Sequence, residues 1–348
     1  MSEFWGTQPV GRGKSTGTID PKPSLISTPT PLPQSFAWAT IEDVSKISEF
    51  LEKFYVEDAC SKYRLLYSCD FFKFLFDHPK HKKEYSLGLF YNHQLIGYIL
   101  AREHNLVLKK NSYPAVSINF LCIDREFRNK NFAPLMIKEI TRIANLNNVF
   151  KAIFTAERDY GFSISKARYY HFPIKAENLL KAEIIDRADE VMEVPIKRIN
   201  TVILKTAEAK IFNLFHDMCK KFAIHEEMTE DICNQVFKGN KDVLTTIYNQ
   251  ESNEFASFFI VKTTCIDSGT VLKRAYLYYW AGTESIIKDA IAVASEMNVD
   301  MFDVLDIAQN RAIVKSLKFL EGSGTLNYHL FNLKEEILSC SDINFILF

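Results

Sequence analysis

The chain has 348 residues, enough for about two domains of ordinary size, and its hydrophobic fraction of 47% is that of a globular protein. Its 42 Lys and Arg residues balance 43 Asp and Glu residues, so a net charge of −1 excludes a general binder of nucleic acid or other polyanions. Phe is abundant, with 28 residues, whereas 12 glycines leave few glycine-rich loops for binding phosphate groups.

The first 35 residues are predicted to form an extended arm. Six of the eleven prolines and four of the twelve glycines fall in the first 33 residues. Phe4 and Trp5 are bulky apolar residues in this arm with nothing local to pack on. They either stay disordered, as chain ends often do, or dock on the body of the protein. Two adjacent aromatic residues favour docking.

The next stretch of the chain predicts an α/β sheet. Residues 40–43 are typical of a helix start, and apolar runs at 85–91, 95–103 and 116–123 indicate strands, the first two joined at Asn92-His93. A polar loop, 124–131, then leads into a helix at about 133–147 and a strand at 151–155. This β-loop-α-β order favours ligand binding near the strand ends.

A similar order of elements recurs in the second half of the chain. An aromatic strand at 275–280 is followed by a helix at 283–297, a strand at 301–305 and a helix near 309–317. The sequence therefore predicts two related α/β halves that share one extended sheet. We divide the chain into an arm, 1–35, an N-terminal half, 36–200, and a C-terminal half, 201–348.

The cysteines and the chain ends predict a compartment. Seven cysteines, never spaced as Cys-x-x-Cys, are typical of reduced thiols. The N-terminus does not have the pattern of a signal peptide, and no apolar run reaches the ~18 residues of a membrane helix. We expect a cytoplasmic protein with no integral membrane association.

Two short segments resemble known ligand-binding motifs but match them only in part. Gly11-Arg-Gly-Lys-Ser15 lacks the first glycine and the preceding strand of a phosphate-binding P-loop. The segment from His225 to Thr229 begins like a zinc-binding helix but ends without a second His. We therefore predict no metal site and no resident cofactor.

The loop before the helix at 133–147 is a candidate anion site. Amides of a helix start and the positive charges of Arg128 and Lys130 suit a pyrophosphate group. The run from Arg128 to Ala133 keeps the first and last positions of the R/Q-x-x-G-x-G/A pattern of acyl-CoA-dependent N-acyltransferases. On these residues alone, a charged loop that merely caps a helix is the preferred interpretation.

Eight short motifs occur in the order and approximate spacing of one family. The chain resembles the N-myristoyltransferase (glycylpeptide N-tetradecanoyltransferase) family from Phe4 to its last residue. The motifs are FWGTQPV (4–10), YVED (55–58), INFLC (118–122), APLMIKEIT (133–141), FTA (154–156), RYYH (168–171), LKF (317–319) and NYHLFNL (327–333).

The resemblance implies two pseudo-symmetric halves, each similar to the N-acetyltransferase (GNAT) fold, on a continuous mixed sheet. It implies that tetradecanoyl-CoA, a co-substrate, lies against the arm, the strand after Asn119 and the anion loop. The donor-binding residues implied are Glu3, Phe4, Trp5, Phe120, Leu121, Cys122, Ile123, Arg128, Asn129, Lys130, Asn131, Phe132 and Ala133. A monomer that acts on peptides beginning with glycine is also implied.

The resemblance further implies a mechanism. The glycine amine attacks the thioester directly, backbone amides of Phe120 and Leu121 form an oxyanion hole, and Asn119 and Thr155 position the amine or a water. The main-chain carboxylate of Phe348 acts as the base. The apolar run Phe345–Phe348 suits a terminus threaded inside the protein, although a plain final strand is an open alternative.

The peptide groove is implied in the same way. Its residues would be Tyr55, Val56, Glu57, Asp58, Tyr63, Leu65, Tyr67, Tyr169, His171, Phe259, Thr263, Tyr276, Asp303, Ser323 and Leu326. Several positions depart from the family pattern and put peptide preference beyond the glycine in doubt. These are Ala59, Cys60, Asn129, Asn131, Glu157, Asp303 and Ser323.

Three functions remain in competition at this point. The first is a protein N-myristoyltransferase, and the second is a short-chain N-acetyltransferase of the same fold, against which the aromatic arm and the C-terminal carboxylate argue. The third is a non-catalytic protein that binds acyl-CoA or lipopeptide. No nucleic acid is expected as a partner of any of them.

Overall fold

The computed structural model describes residues 2–55, 62–206, 208–240 and 243–347. The helices are α1 (Ser2–Trp5), α2 (Val44–Phe54), α3 (Cys69–Phe76), α4 (Phe132–Leu146), α5 (Ala176–Lys181), α6 (Ala209–Cys219), α7 (Glu230–Phe237), α8 (Glu284–Glu296) and α9 (Asn310–Ser316). The strands are β1 (Gly17–Thr18), β2 (Phe36–Thr40), β3 (Tyr63–Leu66), β4 (Ser86–Tyr91), β5 (Gln94–Leu108), β6 (Asn111–Ile123), β7 (Ala152–Ala156), β8 (Ser165–Pro173), β9 (Thr201–Ile203), β10 (Ile224–Glu227), β11 (Leu244–Asn249), β12 (Glu254–Cys265), β13 (Val271–Ala281), β14 (Met301–Leu305), β15 (Leu320–Phe331), β16 (Leu333–Lys334) and β17 (Ile343–Asn344).

One mixed sheet of 15 strands runs through the molecule in the order β17-β10-β5-β6-β7-β15-β8-β14-β13-β12-β11-β9, with β4 beside β5, β2 beside β4 and β3 beside β12. Helices cover this sheet and bury its apolar side chains. The predicted fold class, an α/β protein on a continuous mixed sheet, is confirmed. No helix in the described segments is long and apolar enough to cross a membrane.

Two equivalent units lie in the two halves. In the first, β6 leads through a loop and α4 to β7, and β6 and β7 are parallel. In the second, β13 leads through α8 to β14, again as a parallel pair. A crossover helix between parallel strands lies on one face of the sheet. The recurrence of elements predicted from the sequence is therefore present in the fold.

The strand boundaries differ from the prediction at one hairpin. β5 and β6 are much longer than the apolar runs at 95–103 and 116–123, and they meet at Lys109, whose φ is +57°. The sequence pattern breaks at Arg102 and His104, two polar residues in the middle of β5. Both are buried, at 7% and 1% exposure, because they bond to other buried polar groups.

The N-terminal arm docks on the body, as expected from its aromatic residues. Trp5 is 7% exposed and its ring stacks on Phe154, with centroids 5.4 Å apart. Further along the arm, β1 pairs with β16, where Thr18 is in register with Leu333. Arg12 Nε donates to the Ser163 carbonyl oxygen at 2.7 Å. The arm therefore closes one wall of the N-terminal half.

The last described residues are threaded into the core. Ile343 and Asn344 pair with β10, Phe345 is fully buried, and Ile346 is 5% exposed. The Tyr328 hydroxyl donates to the Phe345 carbonyl oxygen at 2.9 Å. The strand character ends at Asn344, so this segment is more than a final strand. Phe348 lies outside the described residues.

Candidate functional site

A cavity of about 800 Å³ lies where the two halves meet, a size typical of ligand sites. Strands from both halves contribute to its walls. The predicted site residues that line it are Trp5, Tyr55, Tyr63, Leu65, Tyr67, Asn119, Phe120, Leu121, Thr155, Tyr169, His171, Phe259, Tyr276, Ser323 and Leu326. The structure thus gathers residues that are far apart in sequence around one space.

Other predicted residues do not line this cavity. Those among the described residues are Glu3, Phe4, Cys122, Ile123, Arg128, Asn129, Lys130, Asn131, Phe132, Ala133, Thr263 and Asp303. Four predicted residues, Val56, Glu57, Asp58 and Phe348, lie outside the described residues, as do the departures Ala59 and Cys60.

The wall of the cavity contains a β-bulge in β6. Tyr98 is paired with Cys122 and Leu100 with Asn119, so β6 has two residues, Phe120 and Leu121, opposite one residue of β5. Phe120 has a φ of +56°, in the left-handed region that side chains rarely adopt. Such bulges interrupt the ladder and redirect the backbone. Here the interruption lies beside the cavity.

The parallel strands separate at the same point. Pairing of β6 with β7 runs from Val116 to Ile118 and ends with Ile118 opposite Phe154. The next residue on each strand, Asn119 and Thr155, lines the cavity. The two parallel strands therefore separate beside the cavity, where two polar side chains lie.

An apolar chamber extends from this opening beneath α4. Its lining was not predicted from the sequence. Its apolar residues are Val116, Ile118, Ile137, Ile140, Ala144, Val149, Phe150, Ala152 and Phe331, and the polar residues Thr141, Asn145 and Lys151 also line it. On α4 the positions 137, 140, 141 and 144 follow the spacing of one helix face. This spacing predicts a buried face but does not distinguish packing on a sheet from lining a chamber, so no sequence signal identified it.

The anion loop has features that suit a phosphate group. Asn131 precedes α4 with a φ of +61°, and among the described residues no side chain caps this helix end. Asn tolerates the left-handed region better than most residues, which explains its place where the pattern has glycine. The first amides of α4 therefore remain without a protein anion to accept from them.

Arg128 is fastened more firmly than the sequence suggested. Its Nε donates to the Ile123 carbonyl oxygen at 3.0 Å, and one terminal nitrogen donates to the Phe54 carbonyl oxygen at 2.6 Å. The side chain thus ties the loop to the end of α2. Lys130 Nζ lies 5.1 Å from the centre of the Phe127 ring. Arg128 holds the loop in place as well as adding charge to it.

Aromatic rings from both halves form the opposite wall. Phe259 and Tyr276 stack with ring centroids 5.2 Å apart, and Tyr169 meets Tyr276 edge-on at 6.1 Å. Tyr63 closes one side, where its hydroxyl donates to the Ala182 carbonyl oxygen at 2.6 Å. Thr263 lies behind this wall, fully buried and in register with Leu65.

A charged group lies under the aromatic wall. Asp303 is fully buried, accepts from Arg274 Nε at 2.7 Å and lies 2.5 Å from His171 Nδ1. Burial would raise the pKa of Asp303, but Arg274 and His171 hold it below its usual value. Asp303 therefore acts on the cavity through these two side chains, both of which line it.

Two residues beside His171 were not predicted from the sequence to belong to the site, Arg274 and Gly322. Arg274 was missed because it immediately precedes the predicted strand, where a basic residue looks like a solvated strand end. Gly322 lies so close to His171 Nε2 that a side chain at this position would clash with the ring, and it would come 2.8 Å from the Tyr169 carbonyl oxygen. The glycine therefore allows β15 to pass His171.

The C-terminal segment reaches the cavity as well. Leu347 lines it, and the Ile346 backbone N–H lies 3.4 Å from the Tyr279 hydroxyl oxygen, which accepts from it. The last described residue is thus in the wall that also holds Asn119 and Thr155.

Comparisons with known proteins agree on one family. The model of the N-terminal domain of myristoyl-CoA:protein N-myristoyltransferase matches residues 18–167, and that of its C-terminal domain matches residues 202–343. Glycylpeptide N-tetradecanoyltransferase of Plasmodium falciparum is 28% identical over 99% of this chain and 93% of that protein.

Solved structures give the same result. Saccharomyces cerevisiae N-myristoyltransferase with bound myristoyl-CoA superposes with a TM-score of 0.91, at 25% identity, over 99% of both chains. A putative acetyltransferase from Pyrococcus horikoshii has a TM-score of 0.57 at 10% identity, over 90% of this chain and 94% of that one. This second likeness concerns the fold alone and agrees with the GNAT-like halves.

Proposed function

Because this chain belongs to the N-myristoyltransferase family, we propose that it transfers the tetradecanoyl group of tetradecanoyl-CoA to the N-terminal glycine amine of proteins. The observation that carries the proposal is the bulge at Phe120–Leu121, which lies where an apolar chamber meets an aromatic groove. A fatty acyl chain fits the first space and a peptide fits the second. The thioester then lies at the bulge between them.

The donor is held by three parts of the N-terminal half. The acyl chain enters the chamber under α4, and fourteen carbons at ~0.8 kcal/mol per buried CH₂ supply about 10 kcal/mol. The pyrophosphate lies at the start of α4, near Arg128 and Lys130, where the amides and the helix dipole favour an anion. The docked arm, through Phe4 and Trp5, covers the donor.

The reaction is a direct acyl transfer without a covalent enzyme intermediate. The amine nitrogen bonds to the thioester carbonyl carbon, and the carbonyl oxygen becomes an oxyanion that accepts from the backbone N–H groups of Phe120 and Leu121. Collapse of this intermediate breaks the C–S bond and releases CoA. Each such donor is typically worth a few kcal/mol in the transition state.

The amine must lose a proton before or during attack. We assign this step to the main-chain carboxylate of Phe348, with Asn119 and Thr155 positioning the amine. A carboxyl with an ordinary pKa near 3.5 and an amine near 7.8 differ by about four units, or about 6 kcal/mol. An apolar surrounding of the kind formed by Phe345 and Ile346 raises the first pKa and lowers the second.

The peptide lies in the groove formed by the aromatic wall and β15. A side chain on its first residue would crowd the line of attack at the bulge, which accounts for glycine. His171 and Arg274, both tied to Asp303, face the residues that follow the glycine. We assign donor binding to residues 36–200 with the arm 1–35, and much of the peptide groove to residues 201–348.

The chain acts as a cytoplasmic monomer in this proposal. The six cysteines in the described segments are all free, which suits a reducing compartment.

One experiment separates the three candidate functions. The purified protein is incubated with tetradecanoyl-CoA or acetyl-CoA and a peptide beginning with glycine, and the peptide mass is followed. Transfer of tetradecanoyl is expected, with little transfer of acetyl and none to the same peptide beginning with alanine. Preferred transfer of acetyl would indicate an N-acetyltransferase. Binding of either donor without any transfer would leave a binding protein.

A further inference from the structure

A buried line of polar side chains crosses three adjacent strands and ends at the cavity. It starts at Glu226 on β10, continues through His104 on β5 and Ser117 on β6, and ends at Asn119, also on β6. The first three are 3%, 1% and 1% exposed. His104 Nδ1 lies 2.5 Å from a Glu226 carboxylate oxygen, His104 Nε2 lies 2.8 Å from Ser117 Oγ, and Asn119 Nδ2 lies 3.3 Å from Ser117 Oγ.

The contacts of His104 fix which of its nitrogens carries the proton. Arg102 Nε donates to His104 Nε2 at 3.3 Å, so Nε2 is an acceptor. The proton of the neutral ring is then on Nδ1 and is donated to Glu226. Burial lowers the pKa of His104 and so keeps the ring neutral. Burial would raise the pKa of Glu226, but the hydrogen bond from His104 and the charge of Arg102 lower it. The carboxylate is therefore ionised and accepts.

The direction of every other bond in the line follows. Since His104 Nε2 accepts, the hydroxyl proton of Ser117 is donated to it. Ser117 Oγ can then only accept from Asn119, so the amide nitrogen of Asn119 faces Ser117. The remaining polar atom of Asn119, its carbonyl oxygen Oδ1, is left for the cavity that this residue lines.

We propose that Ser117 and His104 are positioning residues that hold the Asn119 carbonyl oxygen toward the cavity as an acceptor for an N–H of the attacking glycine amine. This inference rests on the proposed function. An amine or ammonium group offers N–H donors, so an oxygen at this position attracts it, whereas the NH₂ group of a reversed amide would repel it. The line thereby sets the orientation of an amide whose two ends have nearly the same shape.

The placement of the line supports a role beyond packing. A buried ion pair is weak evidence for stability, because apolar side chains of the same volume often serve a core as well. The line also touches the C-terminal segment, where the His104 and Phe345 rings meet with centroids 5.0 Å apart. Glu226 and His104 thus lie between the two elements that the reaction brings together, Asn119 and the chain end.

The kinetic test compares Ser117→Ala with Ser112→Ala. Ser112 is on the same strand but exposed, and its hydroxyl donates to Glu227. In S117A the amide of Asn119 is free to reverse, so kcat should fall about tenfold, the equivalent of one hydrogen bond of ~1.4 kcal/mol, while KM for both substrates changes less than about twofold. S112A should equal the wild type. A wild-type kcat in S117A would overturn the proposal, as would a loss confined to KM.

A second measurement does not depend on turnover. ¹⁵N NMR of the imidazole groups, assigned with His104→Gln, reports which nitrogen of His104 is protonated. Protonated Nδ1 with unprotonated Nε2 is expected, and the reverse would overturn the proposal even if S117A were slow. A wild-type protein that carries the expected tautomer but transfers no acyl group would instead reject the proposed function, and the role of Asn119 with it.

Discussion

The units β6-α4-β7 and β13-α8-β14 begin alike. In each, three residue pairs join the parallel strands, after which pairing stops. Two residues after the last pair, each first strand has a bulge, at Phe120–Leu121 in β6 and at Tyr278–Tyr279 in β13. The same combination of a bulge and separating strands therefore occurs in both units. The units differ in what occupies the space beside the bulge.

The C-terminal copy is filled by the protein itself. Tyr278 and Tyr279 are buried, with ring centroids 4.3 Å apart, and the face of α8 is packed with fully buried residues such as Ile287 and Ala290. The N-terminal copy instead opens into the chamber under α4. In both units the bulge and the separation of the strands create a space beneath the helix. Large side chains fill this space under α8, whereas under α4 it remains a cavity.

The N-termini of α8 and α4 also differ in whether protein groups occupy them. At α8, the Thr283 side chain caps the helix, and a Glu254 carboxylate oxygen accepts from the Thr283 N–H at 2.6 Å. A side chain on Gly282 would come within 2.6–2.8 Å of Glu254, so glycine is needed for this approach. At α4, the described residues place no such carboxylate and no side-chain cap. The C-terminal half holds its own anion where the N-terminal half leaves a place for a phosphate.

The largest effect is expected from extending the chain beyond Phe348. The C-terminal segment contacts the bulge of β13 through Tyr279. In our proposal its carboxylate acts beside the other bulge, at Phe120–Leu121. Adding Gly-Ser-Gly after Phe348 moves that carboxylate, so kcat should fall by roughly 10²–10⁴, the usual worth of a general base. Binding of tetradecanoyl-CoA, measured by calorimetry, should change little. The same tripeptide inserted after Ser268, in an exposed turn, is the control. An extended enzyme with the wild-type kcat would contradict the assignment.

The next effect tests the difference between chamber and core. Ala144→Phe places a ring in the space under α4 and, if it removes room for three methylene groups, costs ~2.4 kcal/mol or roughly 60-fold in kcat/KM for tetradecanoyl-CoA. Transfer from decanoyl-CoA should be nearly unchanged. Leu146→Phe, on the exposed side of the same helix at 47% exposure, is the control. Equal losses for both donors would show that the chamber does not hold the acyl chain.

Removing the Glu254 carboxylate at the start of α8 should lower the stability of the protein rather than its catalytic rate. Burial would raise the pKa of Glu254, but bonds from Thr283, Ser252 and Arg198 hold it below its usual value of 4.5. Glu254→Gln should lower the free energy of unfolding by about 2 kcal/mol at pH 7, measured by urea denaturation, with kcat unchanged. Glu251→Gln, in the exposed turn nearby, is the control.

The same variant predicts a pH dependence. A carboxyl with a lowered folded pKa stabilises the protein above its unfolded pKa of about 4.3, and this contribution is lost as pH falls through the lower folded value. The difference between wild type and E254Q should therefore be full at pH 6–7 and shrink below pH 4. A difference that grew toward low pH would have the wrong sign.

The smallest effect is expected from adding a carboxylate at the start of α4, in the N-terminal half. Asn131→Asp places a carboxylate at the start of α4, where it competes with a bound phosphate. The Kd of tetradecanoyl-CoA should rise about tenfold, while the helix gains ~0.5–1 kcal/mol from the charge. Asn148→Asp, at the other end of α4 and also at positive φ, is the matched control. Unchanged donor affinity in N131D would place the pyrophosphate elsewhere.

Much of the fold could be predicted because periodicity and helix caps are local signals. β14 has the bounds given by its apolar run. The helix start predicted at 40–43 lies at the end of that range, because Thr40 ends β2 and Asp43, whose side chain accepts from the Lys46 N–H, caps α2. The long hairpin of β5 and β6 could not be bounded, since Arg102 and His104 look like surface residues until their partners on other strands are known. Pairing of this kind is set by tertiary structure.

The candidate site divides in the same way. Asn119, Phe120 and Thr155 were found through motifs, and the structure places them at the bulge and the strand split beside the cavity. Ile137 and Ala144 were missed, because a buried helix face has the same spacing whether it meets a sheet or a cavity. Arg274 was missed because its partner Asp303 is distant in sequence, and no alternation of residues reveals a buried ion pair.

The contact between the arm and the end of the chain sets an order on folding. The Thr16 hydroxyl donates to a Glu335 carboxylate across 319 residues of sequence, beside the pairing of β1 with β16. At a synthesis rate of 5–20 residues per second, the arm waits on the order of 15–60 s before this partner exists. During that time β1 has no strand to pair with, although Phe154, on which Trp5 stacks, is synthesised much earlier. The strand β1 is therefore synthesised well before β16, its partner, and is among the last elements to pair.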